Sequence, residues 1–314
     1  MSWHLGLVVL ERISMQKLTK CAILAGALTC AASAVPAGST VTKGSQGTAV
    51  KLSETPLAQY YRKMQTSFLA QGLMKTTTRM PNAPMDPATL SRDFVEIALH
   101  NEYSGGLSSS GHRSTKPLLR WEEPVRLQVM FGASVDKARR AKDLRSISSY
   151  VNTLARATRH PITVNPHKPN FHVLVVTEAE RKSLSKTLPK LIPGISKSTL
   201  SNIARMRRNH LCMVVAEPYG DRSRGFRKAV AIIRAEHPDQ MRASCIQEEL
   251  AQGMGLSNDC QEVWPSIFND DQEFALLTRR DEKLLGMLYD PRLKSGMTPA
   301  EVSPYLHAVA SSQY

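Results

Sequence analysis

Cys245-Ile246-Gln247-Glu248-Glu249-Leu250-Ala251-Gln252-Gly253-Met254-Gly255-Leu256-Ser257-Asn258-Asp259 reads as a helix that ends in a glycine turn. Glu248 and Gln252 stand four residues apart, so they share one face of that helix and are spaced to clasp a single ion. Glu249 lies beside them, where a carboxylate can take a proton from bound water, and it is the candidate catalytic residue. With Asn258 and Asp259 beyond the turn glycine Gly255, the candidate metal positions are Glu248, Gln252, Asn258 and Asp259. Zinc favours imidazole or thiolate donors, whereas Gln252 and Asn258 offer neutral amide oxygens that suit a hard ion such as calcium better. No cofactor is therefore expected, and neither zinc nor calcium is supported by this donor set. The competing structural role is a polar network that pairs helix-end and loop backbone groups, and it takes precedence because buried polar groups are paired whether or not chemistry occurs. Adjacent helical side chains diverge by about 100°, so Glu248 and Glu249 are not set to share a proton.

Upstream of this stretch, Leu118 to Trp121, Val125 to Met130, Phe171 to Val176, Leu211 to Val215 and Ala229 to Arg234 have the apolar texture of strands. Lys137 to Ala157 carries helical periodicity through Ala138, Leu144, Ile147, Val151 and Leu154. Leu184 to Ile203 is broken by Pro193-Gly194. Nearer the N-terminus, Pro56 to Met74 has the spacing of a packing helix, and the proline-rich stretch Met80 to Pro87 links it to Asp93 through Ala98. Downstream, Asp270 and Asp271 lack the spacing of a calcium loop and are expected to cap a turn. No two histidines stand in H-x-x-x-H spacing. Strands with one long helix among them, ahead of the motif helix, define an α+β domain on a largely shared sheet.

The first 34 residues have the order of an export signal. Lys17 and Lys20 precede the apolar run Cys21 to Ala32, and Ala32-Ser33-Ala34 supplies the small residues for cleavage. That run is too short to span a bilayer, and Met15 is the expected start. The organisation expected is thus 1–34 signal peptide, 35–89 flexible leader, helix and linker, 90–300 folded domain, and 301–314 C-terminal tail. The net charge of the 314-residue chain is +14; the signal segment takes +2 with it and leaves +12. Such a surplus favours anionic partners, but the basic groups Arg139-Arg140-x-Lys142 and Arg205-Met206-Arg207-Arg208 accompany no nucleic-acid motif, so specific nucleic acid binding is not expected. Cleavage leaves Cys212, Cys245 and Cys260, an odd number that implies one disulfide and one spare thiol in an exported protein. Cys212 to Cys245 is the preferred pair, because it would pin the motif helix to a strand; Cys245 to Cys260 is the alternative.

Glu249 and Gly255, with Glu248, Gln252 and Asn258 at the histidine positions, resemble a metzincin active-site helix, H-E-x-x-H-x-x-G-x-x-H, stripped of its histidines. Leu118 through Val125 resembles the strand that opens metzincin catalytic domains. Pro265-Ser266-Ile267-Phe268-Asn269 resembles the Met-turn below the metal, with Phe268 in place of methionine, and Leu277 through Tyr289 resembles the closing helix. Within that helix, Thr278-x-x-Asp281 has capping-box spacing. A nearer resemblance is to the bacterial exported domain family DUF2927. It is carried by Cys245-x-x-Glu248-Glu249-Leu250-Ala251-Gln252, Gly255-Leu256-x-Asn258-Asp259, Ser266-Ile267-Phe268-Asn269-Asp270-Asp271 and Leu288-Tyr289-Asp290-Pro291-Arg292-Leu293-x-x-Gly296-Met297-Thr298. The resemblances imply a zincin-like mixed sheet with a long helix and an active-site-type helix, plus an N-terminal helical extension. They imply a periplasmic or secreted protein, but no established activity.

Two functions follow as expectations. The first is a non-catalytic envelope protein that binds a protein, a peptide or an anionic envelope component through the old substrate groove, with no transmembrane span after signal cleavage. The second is an unconventional hydrolase or peptidase in which Glu249 serves as general base.

Overall fold

The computed structural model describes residues 8–11, 52–100, 114–269 and 271–313. Residues 1–7, 12–51, 101–113, 270 and 314, and with them most of the export signal expected over 1–34, lie outside the described residues. Among the described residues, six strands form one mixed sheet: β1 (Val8–Glu11), β2 (Val125–Phe131), β3 (Ile162–Val164), β4 (Phe171–Val176), β5 (Cys212–Pro218) and β6 (Phe226–Arg234), in the order β1-β5-β6-β4-β2-β3. From β6 to β3 all neighbours run parallel, and β5 returns antiparallel to β6. Strand β1 adds antiparallel to β5. A chain cut after Ala34 lacks β1, which leaves five strands with β5 at the edge.

The helices are α1 (Pro56–Ala70), α2 (Pro87–Ala98), α3 (Lys137–Thr158), α4 (Glu178–Lys182), α5 (Leu188–Leu191), α6 (Lys197–Ala204), α7 (Asp239–Gly253), α8 (Arg279–Leu288), α9 (Pro299–Val302) and α10 (Leu306–Ser311). Local chemistry sets their starts. Thr55, Asp86, Asp136 and Ser196 each accept a backbone N–H from the first turn of α1, α2, α3 and α6, and Pro56 and Pro87 fill first-turn positions that need no N–H. None of the described helices is long and apolar enough to cross a membrane.

The central strands are apolar on both faces, and each face packs a separate core. Phe171, Val173 and Val175 of β4, with Cys212 and Val214 of β5 and Ala231 of β6, meet α1, α2, α3, α7 and α8 in the larger core. Leu174, Val176, Met213, Val215, Val230 and Ile232 face the other way, toward the short helices between β4 and β5. The single disulfide of the described residues joins Cys212 on β5 to Cys245 on α7, with Cα atoms 5.8 Å apart, and so pins the motif helix to the sheet. Because Cys245 is bonded to Cys212, the alternative pairing of Cys245 with Cys260 is not formed; Cys260 is buried and donates to Glu262 Oε2 at 2.9 Å.

Two sequence expectations are corrected. Leu118 to Trp121 is buried and extended but is no sheet strand: its backbone bonds run to Gly296 and Met297, and to Phe226 at the entry to β6. Its alternation reflects burial on both sides, which periodicity does not distinguish from sheet pairing. Strand β3 was not anticipated, because its three residues are too few to carry a pattern. At the C-terminus, Val302, Leu306, Val309 and Ala310 are buried in the larger core, so the described residues 301–313 pack onto the domain through α9 and α10.

Candidate functional site

Helix α7 begins without a side-chain cap on Pro238. Arg242, one turn in, does the bracing: it donates to the His237 carbonyl at 2.6 Å, to Asp239 Oδ1 at 2.7 Å and to Asp143 Oδ1 on α3 at 2.9 Å. Burial raises the Asp143 pKa even though the Arg242 guanidinium opposes it. Farther along, Tyr150 of α3 donates to the Gln247 carbonyl at 2.7 Å, and Gln247 Oε1 accepts the Leu277 N–H at 2.8 Å. The helix is thus tied to α3 on one side and to the approach of α8 on the other.

Its C-terminal half carries the residues singled out from sequence. Glu248 is 1% exposed, Glu249 2%, Gln252 4% and Asn258 3%. Gln252 Nε2 donates to Asp259 Oδ1 at 3.1 Å, which ties the helix end to the turn that follows it. Asn258 reaches elsewhere: its side-chain amide donates to the Glu96 carbonyl at 2.8 Å and its backbone N–H to the Ile97 carbonyl at 3.1 Å. Those carbonyls belong to the last turn of α2, where helical oxygens lack intrahelical partners. The fold therefore brings Gln252 to Asp259 and turns Asn258 to a different helix end. Among the described residues, no group of three or more His, Cys, Asp or Glu is placed to hold a metal ion. Two neutral amides, both engaged as donors, do not make a zinc donor set.

Gly255 sits at φ 125°, and a Cβ there would run into the Leu119 carbonyl oxygen, so the turn needs glycine for both conformation and space. The Trp121 indole donates to the Gly253 carbonyl at 2.8 Å and the Tyr289 hydroxyl to the Met254 carbonyl at 2.9 Å, which satisfies the helix end. Beneath it, Phe268 is fully buried in the larger core with Leu256 and Leu288. The Ser266–Phe268 turn is fastened by Asp281 of α8, which accepts from Ser266 Oγ at 2.5 Å, the Ile267 N–H at 3.1 Å and the Thr278 N–H at 2.8 Å. Burial pushes the Asp281 pKa up to about 6 against those bonds. The capping box was legible as Thr278-x-x-Asp281, but its second task as a latch across 14 residues had no local signature. In the following loop, Asp271 Oδ1 accepts the Glu273 N–H at 2.7 Å, the turn-capping role expected of it, while Asp270 lies outside the described residues.

A mixed parallel sheet pinned by a disulfide to a helix that ends in a closed polar turn defines an α+β domain with a buried, internally bonded motif. The chain belongs to the DUF2927 family, described as a protein of unknown function, which it matches over residues 87–308. No curated protein and no solved structure matches it.

Proposed function

We propose that this protein is an exported cell-envelope component in which a zincin-like scaffold holds a partner without cleaving it. The observation that carries the proposal is the closure of the motif: Glu249 is 2% exposed, and Gln252 and Asn258 donate to protein oxygens. A general base works within hydrogen-bond reach of the atom it deprotonates, and a catalytic zinc site keeps one position open to water. Neither need is met by a packed helix end. Support for the scaffold comes from element order: a long helix after β2, a motif helix after β6, a fastened turn below it, and a closing helix. Support for export comes from the charged, apolar and small-residue order of Lys17 to Ala34 and from the disulfide, a bond typical of oxidising compartments. The partner is a protein, a peptide or an anionic envelope component.

The test uses mature protein purified from an oxidising compartment. It is expected to hold well under one equivalent of zinc, and chelation should leave its melting temperature unchanged. Peptide substrates should survive both parent and Glu249→Gln. Cleavage by the parent that disappears in a folded Glu249→Gln variant would establish the hydrolase and overturn the non-catalytic function.

A further inference from the structure

A second polar centre lies at the opposite end of α7, where β4 and β6 finish. Two arginines there are almost fully buried: Arg181, on α4, and Arg234, the last residue of β6, are each 1% exposed. They share one carboxylate. Glu178 accepts from Arg181 Nε at 2.8 Å and Nη2 at 2.7 Å, and also from Arg234 Nη1. The remaining donors of both guanidiniums go to backbone carbonyls of one segment, 203–210. Arg181 donates to the carbonyls of Ile203 and Met206; Arg234 donates to Met206 at 3.3 Å, Arg207 at 2.9 Å and His210 at 3.2 Å. Tyr61 of α1 takes the Arg208 carbonyl at 2.8 Å.

The consequence is directional. A segment whose carbonyls are drawn inward onto buried cations presents its polar side chains outward, and Arg205, Arg207 and Arg208 are exposed. With Lys182 and Tyr60 they line an open cleft of 700 Å³. The Arg208 guanidinium lies 4.7 Å from the Tyr60 ring centre, which gives the cleft one aromatic wall with a cation against it. Among the described lining residues Glu178 is the only carboxylate; both buried arginines engage it, and the Lys182 ammonium lies 3.7 Å from its Oε1. Three outward arginines, Arg205, Arg207 and Arg208, are thus held on a braced turn, and the acid of the cleft is committed to Arg181, Arg234 and Lys182 rather than to them. Guanidinium groups match phosphoryl oxygens in geometry as well as charge.

We infer that this cleft is a binding site for an anion carrying two or more phosphoryl groups. It is separate from the Glu248 to Asp259 motif, which begins nine residues along the 15-residue helix α7, about 14 Å from the start of that helix at 1.5 Å per residue. It therefore stands whether or not the motif binds a partner or performs chemistry.

The test is calorimetric titration of the full chain with inorganic tripolyphosphate, alongside flotation with vesicles containing cardiolipin, whose headgroup carries two phosphates. The variant is Arg205→Ala with Arg207→Ala, two exposed side chains whose loss leaves the inward carbonyl bonds intact. The control removes the same charge elsewhere, by Arg156→Ala with Lys168→Ala. Saturable binding of tripolyphosphate that weakens about tenfold or more in the variant, and that is kept in the control, supports a soluble polyphosphorylated ligand. The same pattern with vesicles alone assigns the phosphoryl groups to a lipid headgroup. Equal weakening in variant and control would mean that net charge alone attracts the anion, and the proposal falls. It falls equally if neither probe binds.

Discussion

The two ends of α7 both carry buried polar groups, yet they spend them in opposite ways. At the C-terminal end, Gln252 and Asn258 give their donors to Asp259 and to the last turn of α2, and the acids Glu248 and Glu249 are sealed in with them. Beside the N-terminal end, Arg181 and Arg234 give theirs to Glu178 and to the carbonyls of 203–210, and the cations of that segment are left outside. Resemblance to an active-site helix draws attention to the first end, while the uncommitted bonding capacity lies at the second. Burial of a polar group does not distinguish support from function. What distinguishes them is whether the network closes on itself or leaves charge facing solvent.

The disulfide is the covalent link that holds α7 against the sheet between those two ends, so its removal is the largest perturbation of the comparison. Replacing Cys212 and Cys245 by alanine opens a loop with a sequence separation of 33 residues. By loop-closure entropy that costs about 4 kcal/mol. Denaturant midpoints under oxidising conditions measure it. A double variant as stable as the parent would show that α7 is held by packing alone, and the two ends would then have to be treated as independently anchored.

A third buried polar group sharpens the contrast, because it closes on nothing. His172 on β4 is 2% exposed, and among the described residues neither ring nitrogen has a hydrogen-bond partner. It shares its face of the sheet with Leu174 and Val176, so it stands where the strand pattern calls for an apolar side chain. Burial, helped by the Lys228 charge, pushes its pKa down to about 4 from an ordinary 6.5. The folded state therefore resists protonation that the unfolded state accepts. Its contribution is fully present above about pH 6.5 and falls by about 3 kcal/mol as the pH drops to 4. His172→Leu should flatten that acid limb of the stability profile without loss at neutral pH, as expected when an unpaired buried polar group is replaced by an apolar one. An unchanged acid limb would place the acid-sensitive group elsewhere.

How much of this was legible in the sequence depends on the range of the interaction. The capping box of α8 and the strand texture of β4, β5 and β6 are local, and sequence pattern carried them. The choice of Cys212 over Cys260 as partner for Cys245 was also legible, because it required only that the motif helix pack on a strand. The roles of Arg181 and Arg234 were not. Both sit in stretches that read as ordinary charged helix and strand end, and their partners are carbonyls some 20 to 30 residues away with no side-chain signature. The motif posed the reverse problem. Its spacing was informative about the helix, but whether Asn258 turned toward Gln252 or toward α2 depended on where α2 ended, 160 residues earlier in sequence.

The smallest expected effects give the sharpest test of the comparison, because they set two changes against each other in opposite readouts. Asn258→Ala removes one side-chain bond to the Glu96 carbonyl and leaves that helix-end oxygen buried beside a smaller residue. It should cost about 1 to 2 kcal/mol of stability and leave tripolyphosphate affinity untouched. Arg205→Ala with Arg207→Ala removes two exposed side chains while the Arg207 carbonyl keeps its bond to Arg234, so stability should stay within about 0.5 kcal/mol. Its effect should appear in anion binding alone. If the arginine pair instead destabilises the fold as much as Asn258→Ala does, then the cations of 203–210 are part of the packing, and the two ends of α7 do not differ in kind. If Asn258→Ala weakens anion binding, the ends are coupled through the helix, and the closed motif takes part in a function from which its geometry separates it.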